Sequence, residues 1–169
     1  HFTAVFTQPV TGLAANEIVL TGTAGATTVV LTEVGGTLTT YDIAVSGMTN
    51  EGTVIATIPA GRAENALGAT NRASTSTDNV VKYDPNPPVI TLTGANPQTI
   101  ECVGSYVEFG ATAADTCDGD LTSQISIDAS EVDPSTLGSY SVVYTVTDAA
   151  GNTASATRTV AVSYTHLTL

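Results

Sequence analysis

Residues 137–162 read LGSYSVVYTVTDAAGNTASATRTVAV, two long runs of alternating β-formers joined by Asp148-Ala149-Ala150-Gly151-Asn152. A short Gly-containing turn between two such runs is the sequence signal of a β-hairpin. In the first run Tyr140, Val142, Tyr144 and Val146 share one face, and Ser141, Thr145 and Thr147 share the other. That two-residue period belongs to a strand with one face in a core and one in water. In the second run Arg158 has the same parity as Val160 and Val162. An unpaired charge in a core is costly, so the pattern predicts a bulge that turns Arg158 outward.

The rest of the chain extends the same pattern. Thr, Val and Ala recur throughout, with 15 Gly, 7 Pro and no Trp in 169 residues, a composition that favours many short strands and turns over helices. In residues 1–84 strands are predicted near 2–7, 17–22, 27–33, 37–45, 52–58 and 78–83. In residues 88–162 they are predicted near 88–93, 98–102, 105–109, 111–114, 124–129, 138–147 and 154–162. Between these stretches YDPNPP brings Pro85, Pro87 and Pro88 close together. Proline fixes φ and stops a strand, so residues 85–87 read as a stiff linker between two domains in a semi-rigid rod. The last residues, 163–169 (SYTHLTL), do not continue the pattern and read as a disordered tail, a sequence scar outside the fold.

Charge and residue inventory exclude several functions. Sixteen acidic against four basic residues give a net charge of −12, which repels nucleic-acid phosphates and anionic lipid. No apolar run approaches the ~20 residues of a membrane span. The two His, His1 and His166, lie at the ends and Lys82 is the one Lys. The interior therefore offers no usual general base and no Ser-His or Cys-His pair, and no enzyme is expected.

Residues 87–122, PPVITLTGANPQTIECVGSYVEFGATAADTCDGDLT, together with the closing hairpin resemble the bacterial cell-surface Ig-like repeats, a group related to hyalin-type and cadherin-like modules. Near the start, FTAVFTQPVTG and VIATIPAGRAENALGATN resemble a second bacterial Ig-like family, common in large adhesins. Gln8 stands where that family usually has Glu, Asn65 where it has Asp and Ala69 where it has Asn, departures that bear on any calcium site of that family. Together the resemblances imply an all-β chain of two tandem immunoglobulin-like β-sandwich domains, the first N-terminally truncated. Gly138-Ser139-Tyr140 resembles the tyrosine corner of such folds, or is a plain core Tyr.

The resemblance also implies a disulfide. Many of the surface repeats look like ECxxxY followed by DxCDGDLT, which here would join Cys102 and Cys117; a disulfide suits an exported protein, and the alternative is two buried free thiols. On DTCDGD, Asp115, Asp118 and Asp120 fall within six residues. They form either a calcium site of hard oxygen ligands or a turn whose side chains bind local backbone. Asp148 and Asn152 in the hairpin turn are weaker calcium candidates. The implied role is that of a non-catalytic spacer in a large secreted or surface-anchored bacterial protein, an adhesin, beside neighbouring Ig-like repeats of the same chain. The alternative is a glycan- or protein-binding module, calcium-dependent or not.

Overall fold

The structure, a computed structural model, describes residues 1–164. The chain folds as two compact units, one spanning His1–Asp84 and the other opening at Pro85. Both are immunoglobulin-like β-sandwiches. Among the described residues no helix is long and apolar enough to cross a membrane.

In the first unit the strands are β1 (Phe2–Val5), β2 (Val10–Thr11), β3 (Val19–Thr21), β4 (Thr28–Glu33), β5 (Thr40–Ser46), β6 (Gly52–Thr57), β7 (Glu64–Asn65) and β8 (Val80–Tyr83). One antiparallel sheet runs β1-β5-β4 and a second runs β3-β6-β8, with β2 and β7 paired separately. Alternation places the core: on β5 Tyr41 and Ile43 are buried, and on β6 Val54 and Ala56 are. Ile18, Ile43, Ala56 and Ile58 form a cluster with Phe2, Phe6, Leu31 and Val45 packed against it. The Tyr41 ring meets Phe6 edge-on, at 5.8 Å between centroids, and its hydroxyl donates to the Val10 carbonyl at 2.8 Å. An apolar ring with a satisfied polar tip is what a buried Tyr requires.

In the second unit the strands are β9 (Val89–Leu92), β10 (Gln98–Glu101), β11 (Ala111–Asp115), β12 (Gly119–Asp120), β13 (Ser126–Asp128), β14 (Gly138–Thr147) and β15 (Thr153–Ser163). The sheet β10-β15-β14-β13 faces the sheet β12-β11-β9. The predicted hairpin is its longest element, in unbroken register from Gly138↔Val162 to Thr147↔Thr153. Val142, Tyr144 and Val160 are fully buried and gather Ile90, Leu92, Ile100 and Tyr106 around them. The Tyr140 hydroxyl donates to the Thr136 carbonyl at 2.9 Å, four residues back, the bond of a tyrosine corner.

Three expectations are corrected. The ladder holds Val142↔Arg158 without a bulge, and Arg158 is 0% exposed, so it points inward. Residues 105–109 form no strand. Their alternation runs against a simple core strand, with Val107 and Phe109 exposed and Tyr106 and Glu108 turned in. Ser163 is not tail but the last residue of β15, paired with Glu101; Tyr164 follows outside any strand, and residues 165–169, on which the rest of that expectation falls, lie outside the described residues.

Candidate functional site

The acidic turn between β11 and β12 closes on its own backbone. Asp115 Oδ1 accepts from the amides of Cys117 at 2.7 Å and Asp118 at 3.0 Å. Asp120 Oδ1 accepts from the Thr122 amide at 2.9 Å, and these bonds from Thr122 hold its carboxyl below the usual range. Asp118 reaches across to the hairpin turn, where Oδ2 accepts from the Ala149 amide at 2.7 Å. Within that turn Asp148 Oδ1 accepts from the Asn152 amide at 2.7 Å, and Oδ2 accepts from Asn152 Nδ2 at 2.9 Å. The five sequence candidates thus divide. Asp115 and Asp118 bring carboxylate oxygens within 4.8 Å of one another, Asp120 caps the following turn, and Asp148 with Asn152 closes the hairpin. Gly119, at φ +75°, supplies the left-handed residue that the tight reversal needs.

The implied disulfide is not formed: neither Cys102 nor Cys117 is in one. Cys102 follows β10, where its amide donates to the Ser163 carbonyl at the far end of β15. Cys117 adjoins Asp118, which binds the hairpin turn at the near end. The length of β15 separates them, about 33 Å at 3.3 Å per residue, whereas a disulfide requires Cα atoms within about 7 Å. The Cys102 thiol lies 3.4 Å from the Ser135 carbonyl instead.

The most concentrated chemistry in this unit surrounds Arg158. Its Nε donates to the Tyr144 hydroxyl at 2.8 Å, Nη1 to the Ala95 carbonyl at 2.5 Å, and Nη2 to the carbonyls of Thr93 at 2.6 Å and Gly110 at 2.9 Å. The guanidinium carbon lies 5.3 Å from the Phe109 ring centroid and 5.7 Å from that of Tyr144, a cation–π arrangement on both. Glu108 supplies the counter-charge, Oε1 standing 3.9 Å from Nε. That carboxylate also accepts from the hydroxyls of Tyr106 and Tyr144 and, at 2.6 Å, from the Gly110 amide. Burial alone would raise the Glu108 carboxyl; the bonds from Tyr106, Tyr144 and Gly110 and the Arg158 charge outweigh it and hold it below the usual range. Burial and the neighbouring carboxylate push both phenols up. A buried ion pair is tolerated when its remaining donors and acceptors are satisfied, and this one is threaded into a network.

Sequence reasoning missed this cluster, although its signal was present. Arg158 holds core parity on β15, and Glu108 shares parity with Tyr106. Two opposite charges at inward positions predict each other, whereas taken singly each looks like an error of register.

An open groove of about 1000 Å³ in the first unit is lined by Phe2, Phe6, Ile43, Ile58, Arg72 and Ser74 among others, and no nucleophile there stands hydrogen-bonded to a base. Tyr41 and Tyr144 are buried, Tyr83, Tyr106 and Tyr140 are half-buried, and Tyr164 is the exposed Tyr among the described residues.

At the end of the first unit Asn65 Nδ2 donates to Gln8 Oε1 at 2.7 Å, and Asn65 Oδ1 accepts from the amides of Leu67 and Ala69. The positions where the resembling family has acidic residues are therefore joined here as two amides.

No curated protein matches the chain. Among solved structures it is similar to a lipoprotein of Bacteroides thetaiotaomicron, with 28% identity, TM-score 0.41, 48% of this chain covered and 40% of that one. It is also similar to the structure of the CBM51-2 domain in complex with GlcNAc and INT domains of Clostridium perfringens ZmpB, with 32% identity, TM-score 0.38, 46% of this chain covered and 17% of that one. The chain thus spans less than half the length of either. Over residues 90–162, nearly the whole of the second sandwich, it matches the family described as Bacterial surface protein, Ig-like domain, and this unit is accordingly an Ig-like domain of the bacterial surface type.

Proposed function

We propose that this chain is a non-catalytic spacer segment of a large secreted or surface-anchored bacterial protein, an adhesin, in which tandem sandwiches hold a distal domain away from the cell. The observation that carries this reading is the surface-protein Ig-like match over residues 90–162, on a unit whose buried polar groups serve its own packing. Two features support it: a net charge of −12, suited to an aqueous surface, and sandwiches whose polar side chains mostly close turns and cores. A glycan array and a pull-down from host-cell extract test it. A spacer retains no ligand, whereas a specific ligand lost on replacing surface residues of either unit would move the assignment to recognition.

Calcium enters the same proposal at the turn between β11 and β12, narrowed to Asp115 and Asp118, whose carboxylates converge. A cation there relieves the repulsion of two neighbouring charges. A ligand that binds only the folded state raises the melting temperature. Millimolar calcium is expected to do so in the wild type and not in Asp118→Asn. Identical melts with calcium and with chelator would remove the site.

A further inference from the structure

We propose that the connection between β9 and β10, together with its grip on β15, is a shear clamp that carries tensile load through the second unit. The proposal rests on the spacer reading, since a spacer between cell and target is stretched by its ends.

Topology sets the direction of loading. The start of the unit lies at the hairpin-turn end, where Asn152 Nδ2 donates to the Asn86 carbonyl at 3.1 Å. The chain leaves at the opposite end, past Ser163. Between them β10 runs parallel to β15, in register from Gln98↔Val160 to Glu101↔Ser163. A pull on the two ends draws β10 toward the turn and β15 away from it, so the strands must slide along each other. Sliding loads every bond of a parallel ladder at once, whereas a hairpin pulled from its open end loses its bonds one pair at a time.

Side chains lengthen the loaded patch beyond four residues. Just before β10, Arg158 holds the carbonyls of Thr93 and Ala95. Asn96 makes a two-way contact with β15: its Nδ2 donates to the Thr157 carbonyl at 3.2 Å, and its Oδ1 accepts from the Thr159 amide at 2.9 Å. Residues 93–96 are thus pinned to residues 157–159 by four bonds that lie ahead of the ladder along the pulling direction. Asn96 is exposed, so water would satisfy its side chain in the absence of these contacts. What its bonds add is resistance to sliding.

The test is single-molecule stretching of the whole chain by its ends, which gives one unfolding event per unit. Forced unfolding follows the unfolding rate. Asn96→Ala is expected to speed one of the two events about tenfold at constant load and leave the other unchanged, a factor corresponding to the loss of roughly one strong interaction. Asn96→Asp, which keeps the acceptor for Thr159, is expected to fall between. Thr147→Val removes the 2.8 Å hydroxyl contact with Thr153 at the turn end of the hairpin, off the load path. It should lower the melting temperature about as much as Asn96→Ala while leaving the rate under load alone. Wild-type rates in Asn96→Ala, or equal acceleration in Thr147→Val, would overturn the clamp. That failure would leave the spacer reading standing, and a ligand found on the array would leave the clamp standing.

Discussion

In the first unit the space between the sheets is filled by Ile18, Ile43, Ala56 and Ile58, with Phe2, Phe6 and Leu31 around them. Two neutral side chains serve this core and the segment beside it. Tyr41 donates to Val10, and Asn71 acts as a surrogate strand residue, its Oδ1 accepting from the amides of Arg62 and Ala63 while its Nδ2 donates to Pro59 and Arg72. In the second unit the same space contains a guanidinium at 0% exposure beside Val142, Tyr144 and Val160. That charge bonds three backbone carbonyls and one phenol. Part of the surrounding segment, 105–109, has no ladder of its own, and side chains do the work that strand pairing does elsewhere. The difference teaches that a small sandwich can be closed by apolar volume and neutral amides, or by an ion network that substitutes for a missing strand. The second solution is more specific and more fragile, because every member leaves a buried partner behind when it is removed.

The largest expected effect follows from that fragility. Arg158→Met should destabilise the second unit by about 3–5 kcal/mol, the cost of breaking a buried pair from one side, and leave the first unit's transition unmoved in calorimetry. An unchanged second transition would mean that Arg158 contributes no more than its volume, and the contrast between the units would disappear.

Glu108→Gln should cost roughly 1.5–3 kcal/mol at neutral pH, the range for hydrogen bonds to a charged group. Because the folded carboxyl lies below its ordinary value, its contribution is complete above the unfolded pKa of about 4.3 and fades as pH falls through the folded one. Wild type and variant should therefore converge in acid, and the first unit should show no such difference. Parallel pH profiles of the second transition would count against the role of Glu108.

Tyr41→Phe probes the neutral side of the comparison. Loss of one buried hydroxyl bond with the ring retained should lower the first unit by about 1 kcal/mol, measured by denaturant midpoint at constant slope. A loss as large as that of Arg158→Met would show that the first core is no less dependent on polar contacts.

The smallest effect is expected at Cys102→Ser. With no disulfide to lose, the change should stay within about 0.5 kcal/mol, as for most surface positions without a special role. Titration of unfolded, unreduced protein should find two sulfhydryls, and finding none would reverse the assignment of both thiols.

What the sequence determined by itself was local and periodic. Alternation in SYSVVYTVT and the Gly in DAAGN suffice for β14, its turn and β15, because a two-residue period and a turn residue need no distant partner. For Tyr140 the sequence left a tyrosine corner and a plain core Tyr both open, and the bond from its hydroxyl to the Thr136 carbonyl decides for the corner. Tertiary structure alone decided the fate of Arg158, whose ligands Thr93, Ala95, Gly110 and Tyr144 lie 14 to 65 residues away in sequence. It also decided that residues 105–109 lie beside the sheets without joining them, and that Cys102 and Cys117 face opposite ends of one strand although only fifteen positions separate them. The physical reason is common to all three. Burying a charge, or closing a bond between two thiols, depends on what the fold brings to within a few ångströms, and a periodicity along one strand carries no information about what comes to face it.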